Sequence, residues 1–171
     1  MTGVLSSLVQ IARMRQDPSA LPASVAMLVI MIAVYAGSSA LQSWMLHDDR
    51  LLARTATDVG LTLLMFWIVL AVAGRGHRYR QTMGAVLGTS VLLTPLVMLL
   101  LALQQPAAVY YYPIALLAWA GSVGVIVWYT LIVGYILRSA LEVGFVTSIA
   151  IAMTYLIASA AVLKILFPET A

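Results

Sequence analysis

Five apolar runs dominate this sequence, at about residues 22–45, 57–73, 82–103, 114–137 and 143–167, with only short polar connections between them. A helix rises 1.5 Å per residue, so about 20 apolar residues cover the roughly 30 Å of a bilayer's hydrocarbon layer. Inside that layer no water is available to bond the backbone, so every N–H and C=O must be paired within the segment. Runs of this kind therefore fold as spanning helices. The expected architecture is all-α: a polytopic membrane protein of five transmembrane helices (residues 18–171), preceded by a short amphipathic interfacial helix (residues 1–17).

Composition agrees. Of the 171 residues 63% are hydrophobic and 9% charged, where a soluble domain carries about a quarter charged residues. So few charges cannot cover a water-exposed surface, and the lipid bilayer is the expected partner. The formal net charge of +3 comes from residues in short connections, which reads as a topology signal rather than a nucleic-acid footprint. The chain has no cysteine, which excludes disulfides, thiol catalysis, iron–sulfur clusters and cysteine-ligated zinc. Arginine outnumbers lysine, which occurs once, at Lys164. With abundant Ala, Leu and Val, this points to a GC-rich bacterial genome and an inner-membrane location.

Residues 4–15 have helical periodicity. Val4, Leu5, Leu8, Val9, Ile11 and Ala12 share one face, and Ser6, Gln10 and Arg13 lie opposite. The stretch is too short to span, which places it along the interface. Its first basic residue, Arg13, follows the apolar stretch, the reverse of a signal peptide, so the N-terminus is expected to be retained. Orientation follows from counting Arg and Lys. Arg13, Arg15, Arg75, Arg78, Arg80 and Arg138 fall on one side, and Arg50, Arg54 and Lys164 on the other. The richer side is cytoplasmic by the positive-inside rule, giving an inside N-terminus and an outside C-terminus.

Asp58 is the acidic residue in the second run, and a carboxylate in hydrocarbon is a functional candidate by default. Arg54 precedes it by one helical turn, so an Arg54–Asp58 polar pair, with Thr57 or Asp58 capping the span, is the structural explanation. A proton or cation site facing the bundle is the functional one. Lys164, near the end of the fifth run, can reach water along its own stem. His47-Asp48-Asp49 is too sparse a ligand set for a metal site and reads as a solvated turn. The sequence contains no His-Glu-x-x-His, phosphate-binding loop or Gly-x-Ser-x-Gly motif. No enzymatic activity, cofactor or metal is therefore expected. Gly84 and Gly88 on the third run, with Gly121 and Gly124 on the fourth, allow close helix packing, within one bundle or between copies. Pro95 should kink the third run and free a carbonyl near Val91, with Thr89, Ser90 and Thr94 placed to bond the loosened backbone. Gln104-Gln105-Pro106 ends that run, and Arg138–Glu142 reads as a short turn.

The most distinctive polar feature is the loop Gly74-Arg75-Gly76-His77-Arg78-Tyr79-Arg80-Gln81-Thr82, in which Arg75, His77, Arg78 and Arg80 can meet anionic headgroups or a partner. This loop, leading into a helix with a mid-membrane proline, resembles the Yip1 family of membrane proteins. The resemblance covers about residues 50–167 and is sharp over 74–95. It departs from the family where Leu92, Leu93 and Thr94 replace a tyrosine often found shortly before the proline, and in the short N-terminal region. It implies a five-span, non-enzymatic inner-membrane protein that organises lipid or partner proteins through its loops. The alternative is a small transporter or channel subunit, with an intramembrane path near Asp58 and Pro95.

Overall fold

The computed structural model describes residues 2–45, 50–110 and 112–168. Its helices are α1 (Thr2–Ala12), α2 (Val25–Met45), α3 (Leu51–Val72), α4 (Tyr79–Tyr110), α5 (Tyr112–Leu141) and α6 (Phe145–Leu166), with single 3₁₀ turns at Pro18–Ala20 and Gly76–Arg78. Helices α2 to α6 are each long and apolar enough to cross a membrane. Their outer surface is apolar too: Trp44, Leu117, Trp119, Val146 and Ile165 are all more than 60% exposed. That is the surface lipid would cover.

Local chemistry sets the boundaries. Ser24 Oγ accepts from the Met27 N–H at 3.1 Å and caps α2. Helix α3 begins at Leu51 and so takes in residues 51–56, the interfacial extension that the sequence allows ahead of the run at 57–73, because 51–56 contains no helix breaker and the Arg54 N–H already bonds the Arg50 carbonyl at 2.9 Å. Thr57 and Asp58 consequently lie two turns inside the helix and do not cap it. Helix α3 closes at Gly74, whose φ of 70° is the left-handed conformation glycine tolerates. Helix α4 does not stop at Leu103. It runs through Gln104, Gln105 and Pro106 to Tyr110, and the Gln104 amide is satisfied by Ser122 Oγ of α5 at 2.8 Å. Arg138–Leu141 is not a turn but the last part of α5. The turn itself is Glu142-Val143-Gly144, with Glu142 at φ 57°. Tyr111 and the His47-Asp48-Asp49 segment lie outside the described residues.

Helix α4 is the centre of the bundle. Every residue from Thr82 to Thr89 is buried, because α1, α2, α3 and α5 all pack on α4. The short helix expected ahead of the spans is α1, and protein covers part of its apolar face. Leu8, Ile11 and Ala12 are at most 5% exposed, and α1 packs against both α4 and α5. Leu8 sits over Gly88, where an added Cβ would meet Leu8 Cδ2 at 2.6 Å. The Trp128 indole N–H of α5 donates to the Ala12 carbonyl at 3.2 Å. Gly88 lies nine residues into α4, so α1 meets α4 within its first three turns. The apolar face read from the sequence divides there: Leu8, Ile11 and Ala12 point in, and Leu5 points out.

Candidate intramembrane site

A cavity of about 310 Å³ opens within the bundle, and all five spans line it. Tyr35 and Gln42 come from α2, Asp58 from α3, Ser90, Leu93, Thr94 and Val97 from α4, Val125, Ile126 and Tyr129 from α5, and Tyr155, Leu156, Ser159, Ala160 and Leu163 from α6. Asp58 stands seven residues from the start of α3, which puts its backbone about 10 Å along the helix axis. Its carboxylate oxygen Oδ2 accepts from the Tyr35 hydroxyl at 2.8 Å and from Ser39 Oγ at 3.2 Å, both on α2. The bonds described at Asp58 thus come from a neighbouring helix, where the sequence pointed to Arg54 one turn earlier on the same helix.

Two more tyrosines are anchored the same way. The Tyr155 hydroxyl bonds Thr62 Oγ1 at 2.9 Å, and its ring meets Phe66 edge-on with centroids 4.9 Å apart. The Tyr129 hydroxyl bonds Ser90 Oγ at 2.7 Å. The hydroxyls just before Pro95 bond carbonyls one turn back: Thr89 to Ala85, Ser90 to Val86 and Thr94 to Ser90. Helix α4 continues through Pro95, and Ser90 and Thr94 of this stretch line the cavity.

The basic loop is divided. Arg75 forms a two-toothed pair with the Glu142 carboxylate, and Arg78 donates to the same carboxylate at 2.7 Å and to the Ser139 carbonyl at 2.8 Å. His77 and Arg80 are exposed. The Ser139 hydroxyl donates to Asp17 at 2.6 Å, and the Gln81 amide donates to the Leu21 carbonyl at 3.2 Å. These bonds tie three segments together at one end of the bundle: the strap after α1, the 73–78 loop and the 142–144 turn. Burial pushes the Asp17 carboxyl up, but hydrogen bonds from Ser139 and Ser19 and the charge of Arg78 outweigh it and hold it below its ordinary value. A polar cavity of about 950 Å³ lies between these segments, lined by Asp17, His77, Arg78, Gln81, Arg138 and Glu142 among others.

Of the four glycines, Gly88 is covered by Leu8 and Gly121 by Leu100, while Gly84 and Gly124 have nothing within 4 Å of where a Cβ would stand. Sequence reasoning missed Tyr35, Tyr129 and Tyr155. Their signal was position, since membrane tyrosines gather at helix ends and these three lie near the middle of their spans. Among the described residues no group of three His, Cys, Asp or Glu could hold a metal ion. No protein-family model, curated protein or solved structure matches the chain.

Proposed function

We propose that this chain is a small membrane carrier or channel subunit whose working site is the cavity at Asp58. One observation carries the reading: an acidic side chain, bonded by hydroxyls of a neighbouring helix, lines a cavity to which every span contributes. Intramembrane carboxylates are costly and mark ion or substrate pathways. A site shared by five helices is one that relative helix motion can open and close. The test is flux in liposomes reconstituted with the full chain, using an internal pH-sensitive dye under an imposed potassium-diffusion potential. The wild type should carry proton-linked flux above empty liposomes, and Asp58→Asn should abolish it. Wild-type flux equal to that of empty liposomes, or unchanged by the substitution, overturns the reading.

A second reading is a Yip1-like organiser of lipids or partner proteins, including further copies of this chain. It is supported by the resemblance over 74–95 and by the exposed His77 and Arg80. Arg75 and Arg78, being bound to Glu142, support it less. Its sign would be anionic lipid retained through purification and lost in Arg80→Glu; retention equal to wild type counts against it. For either reading the proposed location is a bacterial cytoplasmic membrane, N-terminus inside and C-terminus outside. The six-to-three distribution of basic residues supports that orientation.

A further inference from the structure

The cavity's lining selects among ligands by charge. Among the described residues, Asp58 is the only formally charged one that lines it, and no Lys, Arg or His does. An anion would face the carboxylate's like charge. A neutral ligand would bring no counter-charge to that carboxylate, which has the Tyr35 and Ser39 hydroxyls as donors. Cations remain, and they divide into inorganic and organic. A hard metal ion seeks six or more oxygen ligands, supplied chiefly by carboxylates and carbonyls, but the side chains lining this cavity offer one carboxylate, at Asp58, and one amide, at Gln42; their other oxygens are hydroxyls, set among apolar walls such as Leu93, Val97, Val125 and Leu156. Those walls suit a ligand with an apolar body.

The tyrosines make the same selection. The hydroxyls of Tyr35, Tyr129 and Tyr155 are already bonded to Asp58, Ser90 and Thr62. What they offer a ligand is electron-rich ring surface and oxygen lone pairs, both of which attract positive charge. Three aromatic rings and one carboxylate around an apolar space form a receptor for an ammonium group attached to hydrocarbon. The volume of about 310 Å³ is at the lower end for small-molecule sites, which limits the ligand to one compact molecule.

Resting on the cavity reading above, we propose that the cavity at Asp58 binds a compact organic monocation, an ammonium carrying an apolar group. The carboxylate supplies the counter-charge, and Tyr35, Tyr129 and Tyr155 supply the aromatic wall. The test is equilibrium dialysis of radiolabelled benzyltrimethylammonium against the full chain in dodecyl maltoside, with its uncharged isostere neopentylbenzene as competitor. The wild type should bind the cation, and neopentylbenzene should compete poorly. Asp58→Asn should weaken binding about thirty-fold or more, Asp58→Glu should retain most of it, and Tyr129→Leu should weaken it without abolishing it. Leu93→Trp, which fills the cavity, should block binding altogether. If neopentylbenzene competes as well as the unlabelled cation and Asp58→Asn binds like wild type, while Leu93→Trp still blocks, the cation assignment is wrong and the cavity reading stands. If Leu93→Trp binds like wild type, or if the wild type binds neither compound, the cavity is not the site and both fall.

Discussion

At Gly134 of α5 an added Cβ would stand 2.9 Å from Ile149 Cγ1, 3.2 Å from its Cα and 3.4 Å from its backbone nitrogen. Backbone cannot swing aside as a side-chain tip can, so α5 and α6 approach closely there only because the residue is glycine. Gly134→Leu should destabilise the bundle by about 1–3 kcal/mol through overpacking. Gly124→Ala, with open space around it, should stay within about 0.5 kcal/mol of wild type. Thermal unfolding in detergent checks the pair, and equal loss in both would refute the close-approach account. The sequence shows all these glycines alike, and only the path of the neighbouring helix separates them. The same holds at Asp58. Its place inside an apolar run was legible, but its partners were not, because Tyr35 lies 23 residues away on another helix.

At the scale of elements, α1 shows what the sequence leaves open. Its length and amphipathic face fit a helix lying at the bilayer surface, and Leu8, Ile11 and Ala12 of that face are buried against α4 and α5. Amphipathicity says that a face must be covered and does not say by what. Lipid and a groove beside Gly88 both meet the requirement, and the groove also offers the Trp128 N–H to the last carbonyls of α1. Leu8→Ala empties the contact over Gly88 and should loosen α1, costing about 2–5 kcal/mol of its docking. Limited trypsin digestion should then cut faster after Arg13 and Arg15 than in wild type, and unchanged cleavage would mean that α1 does not depend on this contact. Element ends were misread for a related reason. Gln104 and Arg138 look like terminators when each is taken alone, but Gln104 has a partner on the neighbouring helix, and Arg138 sits in the last turn of α5, where a cation favours the helix end.

For the molecule as a whole, the proposed topology, with an odd number of spans, predicts that the two ends of the described chain lie on opposite faces of the membrane. The absence of native cysteine makes this measurable without background. Single-cysteine variants Ser19→Cys and Pro168→Cys should react with an impermeant maleimide from opposite sides of intact vesicles. Labelling of both from one side would remove a span or add one.

The five spans were legible in the sequence because the demand of hydrocarbon for backbone pairing within a segment is met residue by residue along the chain. Apolar length alone therefore reports that demand. The cavity was not legible. Its lining comes from five helices that meet only once α4 is enclosed, and helix rotation about each axis decides whether Asp58, Tyr129 and Tyr155 face one another or lipid. Rotation is set by contacts such as Leu8 on Gly88, Thr62 with Tyr155 and Gly134 with Ile149. These contacts join residues 15 to 93 positions apart, and no local pattern encodes them. The sequence by itself determined how many helices cross. The tertiary structure alone decided which sides they turn to one another, because that choice is made by packing between spans.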